Sequence, residues 1–210
     1  MKKMQGEKLM RQFEDDNTAE ILNVIWKGIN KVPMQEHSNE LKLNVFPTPL
    51  GKMLSLSDER YLYLLEFVDK RGLDKEIKKL IQHLTVTVAL GSSNVALETQ
   101  KQLQEYFSRQ RTSFSLPLFK EGTAFQKKVW TILESIPVGR TLSYQEVAAE
   151  LGNIKLVRAV GNANGANKLA VVIPCHRVIR ANGKFGGYAG GSERKAALLQ
   201  FEIANVGNTI

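Results

Sequence analysis

The residues of this chain best suited to chemistry are Cys175, His176 and Arg177, which directly follow Val171-Val172-Ile173-Pro174. Cys175 is the only cysteine among 210 residues. A thiol attacks as its thiolate, and neighbouring cationic or hydrogen-bonding groups lower its pKa from about 8.5. The tripeptide therefore sets two groups that can favour ionisation beside one nucleophile. The β-branched run ahead of it predicts a buried strand. Pro174, with no N–H for a ladder, should end or bend that strand. Two facts weigh against a reactive thiol. A solitary cysteine also serves as a small buried apolar residue, and neighbours on a strand point to opposite faces.

The flanks favour chemistry. After Arg180-Ala181-Asn182-Gly183-Lys184, a turn by its Asn-Gly, comes Phe185-Gly186-Gly187-Tyr188-Ala189-Gly190-Gly191. Four glycines around one tyrosine fit a backbone that comes close to a ligand, or else a flexible loop. Upstream, Arg158-Ala159-Val160-Gly161-Asn162-Ala163-Asn164-Gly165-Ala166-Asn167 is almost entirely small residues. Each internal glycine costs a helix about 1 kcal/mol against alanine. Such a helix lets its backbone approach something closely, either a minor groove roughly 6 Å wide or another helix.

The elements that must position these residues can be read from periodicity. A helix from Ile154 to about Asn164 follows a short one, Tyr144–Leu151, across the turn Gly152-Asn153; the pair reads as a helix-turn-helix or an ordinary helical hairpin. A helix over Thr123–Ser135 precedes them, with Phe125, Val129, Ile132, Leu133 and Ile136 on one face. Ser192 should cap a last helix reaching about Ala204, with Ala196, Leu199 and Ile203 inward. In the first half, Leu41, Leu43 and Val45 alternate with polar residues. Turns at Pro47–Gly51 and Ser57–Arg60 separate that strand from Lys52–Leu56 and Tyr61–Phe67. Helices are expected over Asp74–Leu84 and Asn94–Ser108, the latter with Leu97, Leu103, Tyr106 and Phe107 inward, and a short strand over Val86–Leu90. A further helix from Thr18 to about Lys31, capped by Asn17, carries Leu22, Ile25, Trp26 and Ile29.

The polar connector Arg109–Phe119 suggests a division into a helical extension (1–40, of unknown role), an α/β domain (41–119) and a C-terminal domain (120–210). The fold class is α/β in the α+β sense. No apolar run long enough to span a membrane is present, and the basic start Met1–Glu7 has no apolar stretch behind it, so no secretory signal is expected. A cytoplasmic location is the expectation. The net charge of +8 is uneven: residues 120–210 hold twelve Lys/Arg against six Asp/Glu, and residues 1–119 seventeen against fifteen. A basic half carrying the cysteine suits a polyanion such as nucleic acid. His37, His83 and His176 show no metal-ligand spacing.

Taken together, these motifs resemble the O6-alkylguanine-DNA alkyltransferases, the methylated-DNA–protein-cysteine methyltransferases, most nearly the bacterial adaptive-response type. The resemblance runs from about Asn44 to Glu202. It rests on Gly122-Thr123-x-Phe125-Gln126 with Val129-Trp130, Ile136-Pro137-x-Gly139-x-Thr141 with Ser143-Tyr144, Arg158-Ala159-Val160-Gly161, Ile173-Pro174-Cys175-His176-Arg177-Val178, and Gly187-Tyr188-x-Gly190-Gly191. It implies a small N-terminal sheet with helices and a winged-helix-like C-terminal helix-turn-helix domain that binds DNA and accepts the alkyl group. The implied reaction moves an alkyl group from guanine O6, and from thymine O4, in duplex DNA to Cys175, without cofactor or metal, once per chain, in a monomer that binds double-stranded DNA. It implies His176 as base through a water, Glu202 as its orienter, and Tyr144 as a donor to the base and a DNA contact. Tyr188, the Ala189 N–H and the Val178 carbonyl would hold the base, and Asn167 the turn before Cys175. Arg158, with Ala159 and Gly161 beside it, would enter the duplex. Three departures stand out: Lys168 where many members have proline after the Asn, Ala170 where the human-type pocket has proline, and no zinc ligands in the first half. Two other readings compete, a papain-like Cys-His hydrolase and a non-catalytic regulator that binds alkylated DNA through its helix-turn-helix.

Overall fold

The computed structural model describes residues 22–25, 27, 29 and 39–206. The expected cap Asn17 and Trp26 lie outside the described residues.

The alternating pattern of the first half forms a hairpin of β1 (Glu40–Phe46) and β2 (Met53–Ser57), paired antiparallel with Leu43 opposite Leu56 and Val45 opposite Leu54. β3 (Leu62–Phe67) adds antiparallel to β2. Helix α1 (Leu73–Leu84) then crosses over to β4 (Thr87–Leu90), which pairs parallel with β1, giving the order β3-β2-β1-β4. Helix α2 (Asn94–Phe107) follows, its first turn capped by the Ser93 hydroxyl. Period-two alternation splits the sheet into two apolar faces. Leu41, Leu43, Leu54, Leu56 and Leu64 pack on Leu73, Ile77, Leu80 and Ile81 of α1, together with helical Leu22, Ile25 and Ile29. Phe46, Met53, Leu65 and Phe67 face the other way, toward α2 and the second half of the chain.

That second half begins with α3 (Ala124–Ser135), opened by a reciprocal capping box between Thr123 and Gln126. A two-residue strand β5 (Leu142–Ser143) leads into α4 (Tyr144–Glu150), capped likewise by Ser143 with Glu146. Gly152, at φ +82°, turns the chain through a 3₁₀ turn (Ile154–Leu156) into α5 (Val157–Gly165). Trp130 of α3 is buried and donates its indole N–H to the Ala163 carbonyl at 2.9 Å, tying α3 to α5. The last helix, α6 (Ser192–Val206), covers the core.

The run Val171-Val172-Ile173, expected as a buried strand, lies instead within a compact buried turn over residues 169–174. Ile173 N–H bonds the Leu169 carbonyl at 2.9 Å, and Val172 N–H the Ala170 carbonyl at 2.8 Å. Val171 sits at φ +70°, a region that β-branched residues rarely occupy. Cys175–Arg177 is a single 3₁₀ turn, and only Val178–Ile179 is strand (β6), parallel to β5. The apolar run is buried because it is wedged against the open edge of β3, not because it is pleated. Leu65 N–H bonds the Lys168 carbonyl and Ala170 N–H the Leu65 carbonyl, each at 2.8 Å. Three smaller expectations also shift. Leu97 and Ile203 face outward, at 54% and 59% exposure. The buried stripe of α6 runs through Lys195, Leu198, Leu199 and Glu202, so an apolar-only pattern misplaced its inner face. Ser192 is the first helical residue, and the Gly191 carbonyl accepts the Lys195 N–H.

Replacing Trp130 by Phe removes the donor to Ala163 and part of a packed side chain, so unfolding free energy should fall by about 2 kcal/mol. A urea titration checks this; the midpoint should drop with the slope unchanged.

Candidate active site

Pairing of β5 with β6, Leu142 opposite Val178 and Ser143 opposite Ile179, carries the start of α4 alongside the Cys175 turn. Tyr144, the first residue of α4, therefore reaches the site. Asn167, 3% exposed, braces the turn from within. Its Oδ1 accepts the Leu169 N–H at 2.9 Å, and its Nδ2 donates to the Ile173 carbonyl at 2.9 Å and to the Cys175 sulfur at 3.2 Å. The turn-holding role expected of Asn167 and its reach to the thiol are thus one arrangement. Ala170, whose N–H pairs with β3, stands where a proline could make no such bond. Lys168 pairs with Glu121.

His176 and Arg177 do not turn toward the sulfur. Both turn to Glu202, carried in by α6 and fully buried. His176 Nε2 lies 2.9 Å from Glu202 Oε1, and Arg177 spans the carboxylate through Nε, at 3.0 Å from Oε2, and Nη2, at 2.8 Å from Oε1. The Tyr106 hydroxyl of α2 donates to the same Oε1 at 2.7 Å. These donors outweigh burial and hold the Glu202 pKa down at about 2. An ionised Glu202 is an acceptor only, so His176 must donate from Nε2, which leaves Nδ1 as the free lone pair of a neutral ring. Burial keeps the His176 pKa below its ordinary value, and Nδ1 is buried with no hydrogen-bond partner.

The thiol differs from its expected state. Cys175 is 6% exposed, and burial pushes its pKa up to about 11 despite the Asn167 donor. Arg177 is spent on Glu202 and the Ile136 carbonyl. The nearer cation is Lys195, fully buried, whose ammonium donates to the Val178 carbonyl at 2.5 Å. Its own pKa is lowered by burial and raised by the Cys175 charge. Sequence reading missed Lys195 and the role of the Tyr106 hydroxyl. The spacing of Lys195, Leu198, Leu199 and Glu202 on one helical face was the available signal.

Beside the turn lies a pocket of about 580 Å³, with Tyr144, Gly161, Asn164, Tyr188 and Ala189 among its walls. A Cβ on Gly186 would come within 2.3 Å of the Tyr144 hydroxyl, so glycine is required there for the loop to close on that ring. Burial raises the pKa of Tyr144, and the Cys175 charge adds to it, so its hydroxyl remains a proton donor at neutral pH. The Tyr188 hydroxyl is buried without a partner, and its ring stands edge-on to His176 at 6.4 Å. On α5, Arg158 is exposed, and a Cβ on Gly161 or Gly165 would meet nothing within 4 Å. The Gly161 and Gly165 side of α5 is therefore open, while its Val160 and Ala163 side packs toward α3. A larger cavity, about 1010 Å³, lies behind Pro174 and Arg177 and holds no reacting group. Among the described residues, no three His, Cys, Asp or Glu side chains gather to hold a metal, and no helix is long and apolar enough to cross a membrane.

Residues 124–204 match the family model described as 6-O-methylguanine DNA methyltransferase, DNA binding domain. The constitutive methylated-DNA–protein-cysteine methyltransferase of Bacillus subtilis is 44% identical over 157 residues, covering 74% of this chain and 91% of that protein. Its namesake in Methanosarcina acetivorans is 42% identical over 158 residues, covering 75% and 96%. Among solved structures, the Mycobacterium tuberculosis O6-methylguanine methyltransferase superposes with a TM-score of 0.68 at 35% identity, covering 79% of this chain and 94% of that one. The M. tuberculosis protein in complex with DNA gives 0.66 at 34% identity over the same shares.

A desolvated thiol with a pKa near 11 should resist a small alkylating reagent. Iodoacetamide labelling of Cys175 at pH 8 should be much slower in the folded chain than in urea, and its rate should still be rising with pH above 9. Intact mass measured over time checks both.

Proposed function

The chain belongs to the methylated-DNA–protein-cysteine methyltransferases, and from that premise we propose that Cys175 is the cysteine that takes the methyl group. The observation that carries this reading is the proton path. Glu202 leaves His176 with one free basic atom, Nδ1, next in sequence to the only thiol. In the reaction, Nδ1 takes the thiol proton through one water as the lesion docks. The sulfur attacks the alkyl carbon, forming the C–S bond while the carbon–O6 bond breaks and its electron pair passes to the guanine ring. Tyr144 donates a hydrogen bond to the base as that charge develops, and the Ala189 N–H faces O6. The imidazolium formed is stabilised by Glu202 and gives its proton back to solvent, while the guanine anion takes one up on its ring, so the thiol proton ends on the released base. The thioether is permanent, so each chain acts once.

The substrate is double-stranded DNA bearing O6-alkylguanine, with O4-alkylthymine as a second lesion. The protein acts as a monomer in the cytoplasm, without cofactor. The nucleotide must leave the stack to reach a buried sulfur, at a cost of a few kcal/mol. Arg158, on the first turn of α5 and exposed, fills the gap it leaves, while Ala159 and Gly161 let the helix backbone close on the groove. Tyr188 walls the base. Cys175 with an available base favours an alkyl acceptor over a damage-binding regulator that only recognises the lesion.

Mixing the protein with duplex DNA carrying one O6-methylguanine should add a single methyl to the peptide containing Cys175, read by intact mass and peptide mapping. Cys175→Ala should abolish transfer and keep DNA binding; transfer in that variant would rule the mechanism out. Arg158→Ala should slow transfer from duplex at least tenfold more than transfer from free O6-benzylguanine, because only the duplex needs a nucleotide extruded. Single-turnover rates on the two substrates measure it.

A further inference from the structure

Building on the alkyl-acceptor reading, we propose that Arg194 is a positioning residue of the base pocket, clamping the turn that carries Tyr188 and Ala189 to the first half of the chain. That turn has little structure of its own. The Gly191 N–H bonds the Tyr188 carbonyl at 3.0 Å, with Gly191 at φ +95°. The segment leading into it, Phe185-Gly186-Gly187, belongs to no strand or helix. Glycine-rich backbone has many conformations open to it, so what selects this one must come from outside.

Arg194, on the first turn of α6, reaches back to the turn. Its Nη1 donates to the Gly190 carbonyl at 3.0 Å. The same guanidinium donates through Nε to the Leu50 carbonyl at 2.7 Å, between β1 and β2. It also pairs with both Asp69 oxygens at 2.8 Å, just past β3. Four of its five N–H groups are thereby engaged, so Arg194 is no free cation for a phosphate. The guanidinium carbon stands 4.3 Å from the centre of the Phe67 ring. Phe67 also backs the turn directly, because a Cβ on Gly190 would come within 2.9 Å of that ring and 2.8 Å of the Tyr188 ring. Strand β3 therefore governs the site from two positions. The Leu65 backbone receives the turn before Cys175. Phe67, about 7 Å further along the strand, seats the turn that walls the base. The spacing between sulfur and wall is set by a strand from the other half of the chain, and an error of about 1 Å in such a spacing can cost a hundredfold in rate.

The test uses two substrates that share the pocket and little else. Single-turnover transfer to Cys175 is measured from duplex carrying O6-methylguanine and from free O6-benzylguanine. Arg194→Met keeps an apolar stem over Phe67 and removes the donors. It should slow both reactions about tenfold, because both need the wall. Its affinity for undamaged duplex should not change, and iodoacetamide labelling of Cys175 should stay slow, as an intact fold requires. Asp69→Asn, at a side chain 49% exposed, loosens the clamp without disturbing the core. It should slow both reactions about threefold, the scale of one weakened ion pair. In the double variant the Asp69 effect should vanish, since both residues act through one contact. If Arg194→Met labels quickly, Asp69→Asn decides alone: equal slowing on both substrates upholds the proposal, and native rates overturn it. Native rates in a well-folded Arg194→Met, slowing of the duplex alone, or an Asp69 effect that persists in full in the double variant overturns it and leaves the alkyl-acceptor reading intact. A native chain that alkylates Cys175 from neither substrate overturns both.

Discussion

A carboxylate taken wholly out of water must be surrounded by donors, and Glu202 is. Arg177 spans it, His176 and Tyr106 donate to Oε1, and the donors come from two separate segments of chain. Removing any charged member would leave its partner buried and unpaired, which is far more costly than never having built the pair. The geometry is therefore over-determined: the carboxylate stays ionised, the ring donates from Nε2, and Nδ1 is the atom left to act. Tyr106 lies on α2, in the first half of the chain, so that half takes part in fixing the basic atom even though it supplies no reacting group.

The same division of labour holds the sulfur. The edge of β3 receives the Lys168–Ala170 backbone, and Asn167 closes the turn from the other side. Between them the chain accepts an unfavourable conformation at Val171. What that turn achieves is a thiol that is held in place but quiet. Burial keeps it protonated, and a neutral histidine stands ready to accept its proton. For a protein consumed by its own reaction, a thiol kept protonated at rest avoids waste on other electrophiles.

The exposed face of α5 follows a complementary logic. Helix α5 gives up stability by using glycine and alanine, and gains a bare face beside a pocket walled by two tyrosines. The glycine loop must be glycine at Gly186, because Tyr144 occupies the space of any side chain there. Polar groups left unpaired at rest, on Asn164, His176 and Tyr188, cluster around this region. Local violations of good packing practice of this kind mark places where function has been preferred to stability.

Much was legible in the residues alone. Strand alternation from Leu41 to Phe67 and the helical stripes at 74–84 and 123–135 depend on period, which is a local property, and they stand within a residue or two of expectation. The single cysteine, the tyrosine among glycines and the small-residue helix announced themselves by type. What the chain order could not supply was direction. His176 and Arg177, adjacent to the thiol in sequence, turn to a carboxylate 26 and 25 residues away. The apolar run before Cys175 satisfies its backbone through Asn167 and the edge of β3, so it needs no pleat. Spacing places Lys195 on the buried stripe of its helix, but which carbonyl its ammonium meets there no periodicity rule can foresee. Residue type and spacing determined which groups this protein has to work with. Only the tertiary structure decided which of them meet, because hydrogen bonds to buried charges are settled by what comes close in space.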